Sequence, residues 1–111
     1  DKFKDIINLV KNNTNYSSCH LLLAKIDFVK LKIDKEQFFK KMKNKGIICQ
    51  FHYIPLYKFK NHSRKYKLPN SEFYFKNFIS LPIHCKLKKN HIRFVINNIK
   101  MVINKNLKKT N

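Results

Sequence analysis

Glycine occurs once in these 111 residues, at Gly46, alanine once, tryptophan not at all, and acidic side chains only six times. A single glycine rules out a glycine-rich phosphate loop, which needs several residues free to take positive φ and let a backbone approach the phosphates. Six acids leave no paired carboxylates at a spacing useful for acid and base work, and there is neither an HExxH helix nor a nucleophile elbow. Cys19, Cys49 and Cys85 are odd in number, far apart and without CxxC spacing, so neither a disulfide framework nor a zinc knuckle is suggested. They read as buried reduced thiols, and no metal site is expected. No apolar run is long enough for a signal peptide or a membrane span, which leads to the expectation of a cytoplasmic protein without a membrane partner. Internal repeats are also missing. The length allows one domain at most, and a chain that starts at Asp1 rather than methionine is expected to be a piece of a longer one.

Positive charge, by contrast, is abundant. The formal net charge is +19, carried by 23 lysines and 2 arginines alongside 14 asparagines and 13 isoleucines. Such a balance ordinarily points to nucleic acid or an anionic membrane, because clustered lysines neutralise phosphates and release counterions. Base and phosphate readers favour the bidentate fork of arginine, however, and these lysines are spread along the whole chain. Drift toward AT-rich codons produces the same composition, and it is the preferred reading of the charge.

One stretch organises the rest: Gly46-Ile-Ile-Cys-Gln-Phe-His-Tyr-Ile-Pro-Leu-Tyr57. The clearest helix precedes it. Asp34 can accept backbone N–H groups of a first turn, Gln37 completes a capping box, Ile33 and Phe38 form a staple, and Gly46 supplies the left-handed stop, predicting a helix over 34–45. A strand is expected on either side, over 17–28 and 47–54, the first apolar enough to be covered on both faces, with His20 near its start as a hydrogen-bonded core residue. Residues Asp1 to Asn12 fit a helical face or a strand, with a short strand preferred, and Lys11 to Asn15 reads as a polar turn. After Pro55 an irregular segment runs through Lys67. Asn70 then caps a short helix, Ser71 to Asn77, with Glu72 in its first turn and Phe73, Tyr74, Phe75 and Phe78 as core. Ile79 to Ile83, closed by proline, is expected as an edge strand or an extended turn. The last helix, Lys88 to Asn106, carries a buried stripe of Ile92, Val95, Ile96, Ile99, Val102 and Ile103, with a first turn made poor by Lys88, Lys89 and His91. The expected class is therefore α+β: a two-layer module with a βαβ core, a short helix, a short strand and a C-terminal helix.

Ser17-Ser-Cys-His-Leu-Leu22, the stretch Gly46-Ile-Ile to His52-Tyr-Ile-Pro-Leu56, and Ile79-Ser-Leu-Pro82, in that order, make the chain resemble the C-terminal part of the DegT/DnrJ-type nucleotide-sugar aminotransferases, from about Tyr16 to Ile103. Tyr57 in a His-Tyr-x-Pro-x-Tyr pattern and Ile79-Ser-Leu-Pro-Ile-His84 look most like the branch acting in pseudaminic acid biosynthesis. The resemblance implies the small domain of a fold-type-I enzyme dependent on pyridoxal 5′-phosphate (PLP), covering residues 16–106, with residues 1–15 the tail of an upstream segment and 107–111 a frayed basic tail. It implies that PLP and its Schiff-base lysine belong to an N-terminal domain of the same protein, that the substrate is a UDP-linked 4-keto-6-deoxy amino sugar, that glutamate is the amino donor, and that the enzyme is a homodimer. His52, Tyr53 and Tyr57 are then substrate-binding candidates, although His52 and Tyr53 equally suit a domain interface. No lysine here matches the PLP lysine, so no catalytic residue is expected in this chain.

A stand-alone basic module binding nucleic acid is the alternative, resting on Tyr57-Lys-Phe-Lys60 and Arg64-Lys-Tyr-Lys67, where aromatics that stack bases lie beside lysines that hold phosphates. No recognised nucleic-acid motif accompanies them.

Overall fold

A computed structural model describes residues 2–11, 15–62 and 67–108. Among these residues three short strands form one sheet: β1 (Ile7–Leu9), β2 (Leu22–Ile26) and β3 (Phe78–Leu81), in the order β1-β2-β3 with both pairings antiparallel. Four α-helices among the described residues accompany it: α1 (Phe28–Leu31), α2 (Lys35–Lys43), α3 (Pro69–Asn77) and α4 (Lys89–Lys108). The register pairs Ile7 with Ile26, Ala24 with Ile79 and Leu22 with Leu81, so strand alternation gathers these apolar residues on one face. Phe28, Leu31, Phe38, Met42, Ile99, Val102 and Ile103 cover that face and complete the core. Phe38 is fully buried and meets Phe28 edge to face at 5.8 Å. The expected α+β, two-layer packing is what is observed.

Helix α2 shows how local chemistry sets the frame. The Asp34 carboxylate accepts from the Gln37 backbone N–H at 2.7 Å, and Gln37 Oε1 accepts from the Asp34 N–H at 3.0 Å. At the other end Gly46, with φ +77°, donates to the Lys43 carbonyl, and Ile47 reaches back to Met42, the paired bonds of a Schellman stop. An unforeseen turn of helix, α1, forms because the Asp27 carboxylate accepts from the Lys30 N–H at 3.0 Å, and this shortens the strand expected over 17–28. Lys25 in β2 is exposed between buried Ala24 and Ile26, so the strand is covered on one face and not on both. His20 lies ahead of β2, exposed and 3.3 Å from the Ser18 hydroxyl, rather than in the core.

The βαβ reading needs correction at its second strand. Residues 47–54 are extended, with Ile47 and Cys49 buried, but only Gln50 pairs, through one antiparallel bridge to Ser80. Since β3 is antiparallel to β2, this segment runs parallel to β2 as a crossover requires, with β3 inserted between them. The ladder stops because Pro82 brings no N–H on one side and the His52 carbonyl is taken by the Tyr74 hydroxyl on the other. Helix α3 starts at Pro69, two residues before the expected Ser71, since proline is preset for the first helical position and needs no capped N–H. Its aromatics are half-buried or exposed rather than core, and they lie against Phe51 and Phe78. In α4, Ile99, Val102 and Ile103 are buried and Val95 packs half-buried against the core, while Ile92 and Ile96 are exposed, so the expected stripe is covered fully only in its C-terminal half. The poor first turn of α4 is eased by His91, whose Nδ1 accepts from the Lys88 N–H at 3.2 Å. β1 and Ile6 belong to the packed unit, as does Leu107, so the unit extends on both sides of 16–106. Of the three thiols only Cys49 is buried; Cys19 is half-buried and Cys85 exposed. Most of the polar turn at 12–14, Arg64 and Tyr66 in the basic aromatic run, and 109–111 of the tail lie outside the described residues.

Candidate functional site

The organising stretch leaves α2 at Gly46 and is held at three consecutive residues, Gln50, Phe51 and His52. Gln50 exchanges both backbone hydrogen bonds with Ser80, at 3.0 and 2.7 Å, which docks the segment on β3. Phe51 then inserts between Tyr74 and Phe75 of α3, with ring centroids 5.4 and 5.1 Å away. Lys35, at the start of α2, closes this box: its ammonium lies 3.8 Å from the Phe51 ring centre and 4.0 Å from that of Phe75, and it donates to the Phe75 carbonyl. Burial pushes the Lys35 ammonium below its ordinary pKa, against a smaller opposing effect of Glu36. The Tyr74 hydroxyl donates to the His52 carbonyl at 3.0 Å, and His52 Nδ1 lies 2.8 Å from the Ser80 hydroxyl. The His52–Tyr53 peptide is cis.

Beyond this anchor the chain projects outward. Tyr53 is 76% exposed, with its ring edge-on to the imidazole at 4.9 Å, and Ile54 and Leu56 are exposed as well. His52 and Tyr53 are thus brought together, one held and one free. Tyr57 goes elsewhere. It sits in the middle of a 3-10 turn, Leu56–Lys58, and its hydroxyl donates to the Glu72 carboxylate of α3 at 2.6 Å, while Lys58 pairs with the same carboxylate at 3.0 Å. Burial and the neighbouring carboxylate push the Tyr57 hydroxyl up to about 12. The hydrogen bond from Tyr57, then those of Lys58, hold Glu72 below its ordinary value.

Ser80, Tyr74, Phe51 and Lys35 were not singled out as site residues from sequence. For Ser80 a signal existed: between Ile79 and Leu81 in a strand, it must point to the opposite face from both. Tyr74 carried one too, since a packed tyrosine needs a partner for its hydroxyl.

A second feature lies on the other face of the sheet. An apolar groove of about 380 Å³ opens between Leu9, Leu22 and Leu81 of the strands and Ile92, Val95 and Ile96 of α4. Neither feature makes a cofactor site. The groove offers no cradle for a phosphate, and the Lys35 ammonium is committed to two rings and a carbonyl. Among the described residues, those lining these two features do not fit PLP. Among the described residues no three His, Cys, Asp or Glu side chains gather as a metal site, and no helix is long and apolar enough to cross a membrane.

The sequence model of the DegT/DnrJ/EryC1/StrS aminotransferase family matches residues 2–100. The chain belongs to this family. It is 32% identical over 92 residues to the uncharacterized protein MJ1066 of Methanocaldococcus jannaschii, covering 78% of this chain and 24% of that protein. Among solved structures it is similar in fold to the aminotransferase TlmJ of Streptoalloteichus hindustanus, with TM-score 0.79, 17% identity, and coverage of 91% of this chain and 27% of that one. It is similar too to PseC of Helicobacter pylori, an aminotransferase involved in the biosynthesis of pseudoaminic acid, with TM-score 0.73, 22% identity, and coverage of 80% and 24%. The putative sugar aminotransferase Spr1654 of Streptococcus pneumoniae, solved in a PLP form, matches with TM-score 0.76, 24% identity, and coverage of 91% and 27%. The chain spans about a quarter of the length of these relatives.

Proposed function

We propose that this chain is the small-domain part of a PLP-dependent nucleotide-sugar aminotransferase, acting in the full protein on a UDP-linked 4-keto-6-deoxy-N-acetylamino sugar with glutamate as amino donor. Membership of the family over residues 2–100 carries the reading. The step to a pseudaminic-type sugar is supported by the fold likeness to PseC and by the Tyr57 pattern. The family resemblance assigns PLP and its lysine to a large domain on the N-terminal side, and on this reading the chain alone is inactive. His52, held in place, and Tyr53, exposed beside it, are the groups offered to the sugar nucleotide. Tyr57 is the third group of this substrate surface, its hydroxyl supporting the loop through Glu72.

The apolar groove fits the same reading. Relatives about four times longer supply ample chain, and Leu9, Ile92 and Ile96 are exposed on this face. We place the packing surface for the large domain there, in a cytoplasmic homodimer. Reading the genomic DNA upstream of the Asp1 codon tests this directly. An in-frame PLP domain with its lysine supports it, and the joined protein should then form glutamate-dependent amino sugar, reduced at least tenfold in His52→Ala. A stop codon with no such domain in frame would sink the enzymatic role.

A further inference from the structure

Ser80 is 4% exposed on a strand whose neighbours are apolar. Its backbone N–H and carbonyl are both used by Gln50. Its hydroxyl has one partner among the described residues, His52 Nδ1 at 2.8 Å. A hydroxyl carries one proton to give, and a buried proton left without an acceptor is costly. With a ring nitrogen as the sole neighbour, the proton is satisfied only if the hydroxyl donates to Nδ1. Nδ1 is then the unprotonated nitrogen, and the ring proton resides on Nε2.

The ring has little freedom to choose otherwise. Phe51 on its N-terminal side is boxed by Tyr74, Phe75 and Lys35, and the residue's own carbonyl is held by the Tyr74 hydroxyl. Nε2 has no partner among the described residues, and no buried side-chain nitrogen or oxygen among them lacks one, so Nε2 is open to the surface beside exposed Tyr53.

We propose that Ser80 is a positioning residue that confines His52 to the tautomer with Nε2–H directed outward, as a neutral donor to a phosphate or sugar oxygen of the nucleotide-sugar. The outward use of that donor rests on the substrate reading of His52; the lock itself does not. The test is nitrogen-15 NMR of the imidazole in the 111-residue chain. In the wild type, Nδ1 should give an acceptor-type signal, Nε2 a protonated one, and the Ser80 hydroxyl proton should exchange slowly enough to be seen. In Ser80→Ala the two nitrogen signals should move toward those of a freely exchanging imidazole, and Ser80→Thr should restore the wild-type pair. Backbone amides of α2 and α4 report whether each variant is folded, and the wild-type spectrum decides the point even if a variant is not. A proton on Nδ1 in the wild type, or an unchanged pair of signals in folded Ser80→Ala, overturns the assignment. UDP added to the same sample reads the other question: a shift of the Nε2–H signal supports its use as a substrate donor, and a locked ring that ignores UDP counts against the substrate reading while leaving the lock in place.

Discussion

Glu72 accepts from the Tyr57 hydroxyl and pairs with Lys58, so one carboxylate fastens the loop that follows His52 to α3. Because its pKa is held below the ordinary value, the folded chain binds this proton less tightly than the unfolded chain does. Its contribution to stability is complete above the unfolded carboxylate value, about 4.3, and is lost as pH falls through the lower folded value. Tyr57 runs the other way: raised from 10.0 to about 12, it stabilises below its ordinary value, and that contribution is lost as pH rises through the folded one. Urea midpoints of Glu72→Gln should lie below those of the wild type at neutral pH and converge with them in acid. A gap that persists in acid would mean that Glu72 acts by packing alone. The cysteines differ as sharply. Burial pushes the Cys49 thiol up to about 11, whereas Cys85 is exposed. Alkylation at mildly basic pH is expected to modify Cys85 readily and Cys49 only after denaturant is added, as mass spectrometry of the digested chain will show.

Among the elements, α2 has both ends specified. Replacing Asp34 by alanine removes the acceptor of the first turn and should lower stability by about 1 kcal/mol, with Asp34→Asn retaining most of it, read from urea unfolding. Gly46→Ala should cost about 1 to 2 kcal/mol for the left-handed backbone alone, since a Cβ there meets no atom within 4 Å. These helix ends were legible because caps and stops depend on a few consecutive residues. Helix α4 was legible as a helix from its apolar periodicity, despite a poor first turn, but not in what its faces touch. Period 3.6 marks one stripe from Ile92 to Ile103, and only the sheet's extent decides that its C-terminal half is buried while its N-terminal half borders a groove.

For the molecule as a whole, that groove and the charge are the two surface features with consequences. Ile96→Lys, at a site 44% exposed, should reduce dye binding and self-association of the isolated chain while changing stability by no more than about 0.5 kcal/mol. Ile103→Ala, at a fully buried site, should instead cost about 2 to 5 kcal/mol. Equal effects of the two would remove the groove as a packing surface. The net charge of +19 meets only two ion pairs among the described residues, at Lys30 with Asp27 and Lys58 with Glu72. Any binding of single-stranded RNA should accordingly be indifferent to sequence and fall steeply with salt in filter-binding titrations.

The amino-acid sequence by itself determined the α+β class, the capped α2, the long α4 and the placing of His52 and Tyr53 at the end of an extended stretch, because each follows from periodicity or from contacts within a few residues. Tertiary structure decided the rest. The insertion of β3 between the two arms of the βαβ crossover, the bridge from Gln50 to Ser80 across thirty residues, and the hydroxyl of Tyr57 turning to Glu72 are long-range pairings. A polar atom's partner is settled by which elements pack together, and chain distance does not reveal it. The same reason hid Ser80, a small residue in an apolar strand, until the fold set its hydroxyl against the imidazole of His52.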